Sequence, residues 1–211
     1  MPVKDIIMSE FDVKAAGWDA NPIHLERSKA IAAKLTEMIP LRDNMTALEF
    51  GAGTGLLSLE LKEKFSSITL LDNSVEMVRI INEKIKSGRI LNMEALAVDL
   101  EKEDFPGQYD IIYSQMVFHH VNNIDLIVKK FHRLLKPAGY LAIADLYAED
   151  GSFHDASFNG HHGFDPTELS GILIRNGFTE TRLQKCFVIR RQEEDQILRE
   201  YPVFLLTAMI R

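Results

Sequence analysis

A single cysteine, Cys186, stands in 211 residues, so no disulfide can form within the chain. The fold must rest on burial alone, and such cysteine usage fits a reducing, cytoplasmic setting. No run approaches the ~20 consecutive apolar residues of a membrane span. The opening stretch Met1–Met8 lacks the apolar core and small-residue cleavage site of a secretory leader. Positive charge is thin and dispersed: 24 Lys and Arg face 31 Asp and Glu, for a formal charge of −7. A duplex presents one phosphate charge per ~1.7 Å, so its binders carry a basic face. No such face is visible, and neither a nucleic-acid nor a membrane partner is expected. Repeats, low-complexity tracts and Gly/Ser linkers are also missing. The length then fits one domain, at ~100–200 residues per domain. Oligomeric state is not readable from the sequence.

What is present is an ordinary globular balance, 46% hydrophobic and 26% charged, arranged as short apolar runs alternating with amphipathic stretches. Asn21-Pro22 caps and starts a helix whose Ile31, Leu35, Met38 and Ile39 share one face before Pro40. A strand over 46–50 runs into a glycine cluster. A helix over 56–65 and a strand over 67–72 follow. Asn73 with Glu76 forms a capping box for a helix that carries Val78, Ile81 and Ile85 to Gly88. Strands over 93–98 and 109–114 flank a charged loop. The helix over 123–135 has the clearest stripe: Ile124, Ile127, Val128, Phe131, Leu134 and Leu135. Pro137-Ala138-Gly139 turns into a fifth strand over 140–146. Asp165-Pro166-Thr167-Glu168 starts a last helix, ending at Gly177. The strands over 178–190 and 203–210 can close antiparallel. Strand alternating with helix means right-handed crossovers and a parallel sheet covered on both faces. In such sheets ligands bind beyond the carboxyl ends of the strands, where strand order reverses.

The residues that follow each strand are therefore the ones to search. Glu49-Phe50-Gly51-Ala52-Gly53-Thr54-Gly55 occupies the first such place, where glycines open backbone angles closed to other residues and admit a ligand close to the main chain. The spacing is G-x-G-x-G, not the dinucleotide G-x-G-x-x-G; Leu56 stands where the third glycine of that fingerprint belongs. Glu49 would repel a diphosphate but suits a cationic amine. Asp72 ends the second strand, where an acidic side chain can accept both hydroxyls of an adenosine ribose; Asn73 is beside it. Asp99, after the third strand, stands where an adenine amino group can be met. Each acid alone has a plain reading too, Asp72 as a helix cap and Asp99 as a loop residue.

In order and spacing, Glu49–Gly55, Leu71-Asp72, Val98-Asp99-Leu100, Tyr109–Ser114, Phe118-His119-His120-Val121 and Leu134–Gly139 resemble the class I S-adenosylmethionine-dependent methyltransferases. The similarity is nearest to the small-molecule enzymes of the ubiquinone and menaquinone biosynthesis type. The resemblance implies a Rossmann-like, doubly wound α/β fold of seven strands, mostly parallel with the last antiparallel. It implies residues 1–40 as an N-terminal lid segment and helix, and 41–211 as the methyltransferase domain, within one domain overall. S-adenosylmethionine is the implied cofactor and a small molecule the implied substrate. Gly51, Gly53 and Gly55 would wrap its methionine and ribose, Glu49 its amine, Asp72 the ribose hydroxyls, Asp99 and the Leu100 N–H the adenine. Ser114 and Gln115 would line the far wall. Ser114-Gln115-Met116-Val117 departs from the Asn/Asp-Pro-Pro-aromatic motif of base-amino methyltransferases, which argues against that activity.

Methyl transfer from a sulfonium is an in-line displacement to which positioning alone can contribute ~7–11 kcal/mol. A base is needed only where the acceptor must lose a proton; His119 and His120 follow the fourth strand and are its candidates, with loop packing as the plainer reading. Phe153–Gly163 follows the fifth strand. Its His154, His161 and His162 are expected to meet substrate; their spacing matches no metal-ligand pattern, and no metal is expected. Trp18, with Phe11 and Asp19, belongs to the implied lid, or else to a satellite of the core. His24 and His132 fall within helices and read as structural. Cys186 lies in an apolar strand and reads as inert, and one cysteine argues against thiolate-dependent chemistry. Two other readings stay open: a non-catalytic adenosylmethionine-binding protein, and an NAD-dependent oxidoreductase. The glycine spacing and the lack of a Tyr-x-x-x-Lys pair count against the latter.

Overall fold

The computed structural model describes residues 10–192 and 197–211. The stretch Met1–Met8 and the first nine residues of the expected lid lie outside the described residues. The chain enters through α1 (Glu10–Lys14) and a 3-10 turn, Ala15–Ala20. Asn21 then caps α2 (Pro22–Met38), its side chain accepting the Ile23 N–H. Proline in the first turn costs no helical hydrogen bond there.

β1 (Thr46–Phe50), α3 (Leu56–Leu61), β2 (Ser67–Asp72), α4 (Val75–Gly88) and β3 (Met93–Ala97) form the first half of the sheet. β4 (Tyr109–Gln115), α5 (Ile124–Leu134), β5 (Leu135–Leu146), α6 (Pro166–Arg175), β6 (Thr179–Gln192) and β7 (Leu198–Met209) form the second. The strand order is β3-β2-β1-β4-β5-β7-β6. β1 to β5 pair in parallel, and β7 inserts antiparallel between β5 and β6. This is the doubly wound, seven-stranded sheet expected, with the chain's last strand reversed.

Three local expectations need correction. The cap of α4 is Ser74, whose hydroxyl accepts the Met77 N–H at 3.1 Å, not Asn73. Asp72 draws the turn one residue onward by accepting the Ser74 N–H at 2.8 Å. α3 ends at Leu61 and tightens into a 3-10 turn over Lys62–Lys64. β5 begins at Leu135, because Pro137-Ala138-Gly139 is a bulge within the strand, with Ala138 at φ 61° and a register shift against β4.

Period-2 alternation divides the core between the two faces of the sheet. Ala47, Ile111 and Tyr113 pack with Ile31, Leu35, Leu57 and Ile81 from α2, α3 and α4. Leu48 and Ile112 pack with Val128, Phe131, Leu169 and Leu173 from α5 and α6. Strand order reverses between β1 and β4. The crevice beyond their carboxyl ends is therefore forced open by the topology, because the crossovers leave from it in opposite directions.

Candidate active site

A cavity of about 1080 Å³ occupies that crevice. Its first wall is the turn after β1, where Gly51, Gly53 and Gly55 all have positive φ. At Gly51 a side chain is doubly barred: φ is +66°, and a Cβ would come within 2.4 Å of Val117 from the loop after β4. At Gly53 a Cβ would meet only Trp18 Nε1, at 3.9 Å, so this backbone lies open to the cavity. The Gly53 N–H donates to Asp72 Oδ2 at 2.7 Å. Burial pushes the Asp72 carboxyl up to about 6, while hydrogen bonds from the Ser74 and Gly53 N–H groups pull it back. It is thus mostly ionised at neutral pH, with lone pairs left for a ligand.

The opposite wall is built on β4 and β5. His119 is 2% exposed and its Nδ1–H donates to Asp145 Oδ1 at 2.7 Å; Asp145 is fully buried at the end of β5. That bond fixes the ring and leaves Nε2 as its free atom. The His120 ring lies 4.2 Å and the His154 ring 5.1 Å from that of His119. Burial, then the neighbouring histidines, press His120 down to about 3; burial and His119 press His154 down to about 4. Both are neutral imidazoles at pH 7. Arg27 reaches this wall from α2, 6% exposed, with Nε buried and without a hydrogen-bond partner among the described residues. Burial lowers it to about 10, still a cation. Arg191 completes the rim, its guanidinium 4.0 Å over the Phe153 ring.

The N-terminal segment closes the third side. Asp19 ties it to the glycine turn, accepting from Thr54 Oγ1 at 2.6 Å and pairing with Lys84 Nζ at 2.5 Å. Asp12 accepts from Ser74 Oγ at 2.6 Å. Phe11 stands edge-on to His120, centroids 5.0 Å apart, and Trp18 stacks near His24, which donates to the Trp18 carbonyl at 2.9 Å.

Of the residues singled out from sequence, Gly51, Gly53, Asp72, Asn73, Asp99, Leu100, Gln115, Trp18, His119, His120 and His154 line the cavity. Five do not, and each has a physical reason. Glu49 is sealed among the core side chains of β1, hydrogen-bonded to Ser58, which also meets Tyr113 Oη at 2.7 Å. Burial lifts its carboxyl to about 8. Gly55 caps α3 and packs toward Ile81 and Leu70. Ser114 is buried at 2% exposure, with Oγ unpartnered among the described residues. His161 is turned outward, donating to the Val121 carbonyl at 3.1 Å, and His162 approaches Glu149 at 3.4 Å on the exposed side. Missed from sequence were Arg27, Asp145, Arg191 and the anchoring role of His24. Arg27 had a signal, since it shares the buried face of Ile31 and Leu35 at i and i+4 spacing. Cys186 is half-buried with its thiol pushed up to about 12 by burial, which suits an inert residue.

A glycine turn beside a buried carboxylate, at the switch point of this sheet, defines a nucleoside-binding α/β protein. A family described as a methyltransferase domain matches residues 23–187, and the chain belongs to it, with the fold of the class I S-adenosylmethionine-dependent methyltransferases. It is similar to an uncharacterized methyltransferase of Schizosaccharomyces pombe, 31% identical over 69% of this chain and 52% of that one. It is also similar to the malonyl-[acyl-carrier protein] O-methyltransferase of Priestia megaterium, 29% identical over 65% of this chain and 50% of that one. The chain thus spans about half the length of these curated relatives. Among solved structures, an Aquifex aeolicus S-adenosylmethionine-dependent methyltransferase superposes with a TM-score of 0.62 at 25% identity, over 85% of this chain and 89% of that one. A chain solved in complex with the Haloferax volcanii Trm112 methyltransferase activator shares the fold, with a TM-score of 0.76 at 17% identity over 96% of this chain and 98% of that one. S-adenosylmethionine is the cofactor of this family. The cavity fits it: open backbone at Gly53, a buried carboxylate at Asp72, and a volume just above the ~300–1,000 Å³ of typical ligand pockets, room for a cofactor and a second molecule.

Proposed function

We propose that the protein transfers the methyl group of S-adenosylmethionine to a small acceptor that enters beneath the N-terminal lid formed by the segment before α2. One observation carries this reading. The cavity is continuous from the glycine turn and Asp72 to a second wall of His119, His120, His154 and Arg27, so cofactor and acceptor have adjoining compartments. Gly51, Gly53, Asp72, Asn73, Asp99, Leu100 and Gln115 hold the cofactor. Gln115 is itself held, its Nε2 donating to Ser28 Oγ at 2.9 Å while Ser28 donates to the His24 carbonyl. Bound there, S-adenosylmethionine supplies an electrophilic methyl on a sulfonium. The chain contributes position and exclusion of water, with Phe11 and Trp18 over the opening. His119 and His120 face the acceptor and handle its proton; Asp145 keeps the His119 ring in one orientation, as a buried carboxylate does for any catalytic imidazole. His154, Trp18, Arg27 and Arg191 form the acceptor's contacts.

Calorimetric titration with S-adenosylhomocysteine and NADH tests the cofactor assignment. Micromolar binding of the first and none of the second is expected. Asp72→Ala should weaken that binding by about tenfold or more, the worth of ~1.5–3 kcal/mol for a charged hydrogen bond. An unchanged affinity in Asp72→Ala, with the fold intact, would remove Asp72 from the site. Release of adenosylhomocysteine against a panel of hydroxyl, amine and carboxylate acceptors then identifies the nucleophile.

A further inference from the structure

We infer that His119, His120 and His154 form a binding site for one divalent first-row transition ion, zinc foremost, on the acceptor wall of the cavity. Each of the three offers a ligand atom, and the three atoms lie within 4.8 Å of one another. They come from different elements: the first two from the turn after β4, the third from the loop after β5. The spacing along the chain therefore carried no hint of the set. Two of the atoms are already committed by their surroundings. His119 spends Nδ1 on Asp145, leaving Nε2; a carboxylate on the far nitrogen is the partner that metal-bound histidines usually keep, and it makes the imidazole a better ligand. His154 buries Nε2 with no hydrogen-bond partner among the described residues, though its ring is stacked on Phe158 at 3.8 Å. A buried polar nitrogen left without a partner costs free energy, and a cation bound at His154 Nε2 removes that cost.

The ligand chemistry sets the class of ion. Neutral imidazoles are borderline donors that suit zinc, cobalt, nickel and iron(II) rather than magnesium or calcium. Three protein ligands leave at least one position open, the pattern of sites that take a substrate group. Zinc–nitrogen bonds of ~2.0–2.1 Å imply nitrogens about 3.3 Å apart in a tetrahedral site. The rings must therefore close from up to 4.8 Å, by turns of His120 and His154, both only half-buried. Asp145, Glu149 and Glu10 favour a cation here, while Lys14 and Arg191 oppose it, and Arg27 adds a further positive charge to the same wall. The two arginines and the ion together would favour an acceptor whose ligating group is anionic. Only this last consequence rests on the methyltransferase reading; the binding of the ion does not.

The test uses tag-free, chelator-stripped protein titrated with zinc alone, with cobalt as spectroscopic probe. One equivalent should bind with micromolar or tighter affinity, and cobalt should show visible d–d bands. His120→Gln and His154→Gln should each lower zinc affinity at least tenfold and abolish those bands, with circular dichroism and adenosylhomocysteine affinity retained. His132→Gln, in α5 beside Phe178, should change nothing. Absence of saturable one-equivalent binding, or affinity indifferent to both substitutions, overturns the site. Adenosylhomocysteine titrated in parallel separates the two readings. Protein that takes the nucleoside but not zinc refutes the ion site alone; protein that takes zinc but not the nucleoside refutes the methyltransferase reading alone.

Discussion

Gly51 shows how much one hydrogen atom decides. The turn after β1 runs against Val117, so a methyl at position 51 meets its side chain at 2.4 Å on a backbone already at positive φ. Gly51→Ala should destabilise the protein by ~1–3 kcal/mol, from strain and overpacking together. Val117→Ala removes the two γ-methyl contacts at 2.4 and 2.6 Å, but it leaves the Val117 Cβ at 3.0 Å and the strained φ. Denaturant unfolding of the two single variants and the double should therefore reveal coupling of ~0.5–3 kcal/mol, with the double less destabilised than the sum. Additivity would mean that the contact is not what constrains the turn. From sequence, the glycines were legible as a turn, but their division of labour was not. Gly53 faces the cavity and Gly55 faces Ile81, and only the path of α4 across the turn tells them apart. Glu49 failed as a cavity residue for a similar reason. It pairs in register with Tyr113 inside the sheet, a placement decided by strand neighbours far along the chain.

At the scale of elements, the segment before α2 is tied to the rim through its acidic side chains. Asp19 joins it to Thr54 and Lys84, and Asp12 joins it to Ser74. These are partly exposed contacts of the kind worth ~0–1 kcal/mol each. Asp19→Ala should leave the melting temperature nearly unchanged while accelerating proteolytic cleavage between residues 10 and 21. It should also weaken adenosylhomocysteine binding several-fold. Loss of binding without faster cleavage would mean that Asp19 acts on the glycine turn alone. The helices themselves were readable because their signals are local: Asn21-Pro22 and Asp165-Pro166 cap as their side chains dictate. β5 was misjudged at its start because a bulge obeys its partner strand rather than its own Pro and Gly.

Across the whole molecule, buried titratable groups set how stability depends on pH. Glu49 has its carboxyl lifted to about 8 by burial, so the folded state holds a proton there that the unfolded chain has shed. Its stabilisation is complete only below the ordinary carboxylate range, and it drains away as pH rises toward 8. Its share of the slope should be a loss of ~1.4 kcal/mol per pH unit around pH 6.5–7, falling to about half that at pH 8, measured by urea unfolding without cofactor. Glu49→Gln should flatten it; an equally steep variant would place the titration elsewhere. His120 and His154, held near 3 and 4, act in the opposite sense. They favour folding above pH 6.5, and that stability is lost as pH falls toward their folded values. What the sequence by itself determined is everything carried by neighbours along the chain: the period of each strand and helix, the caps, the glycine turn, and the acids that end β2 and follow β3. What only the tertiary structure decided is which of those residues share a wall. Arg27, Asp145 and His154 belong to separate elements whose side chains meet because strand order reverses between β1 and β4. That meeting is a property of the crossovers, and no local periodicity encodes it.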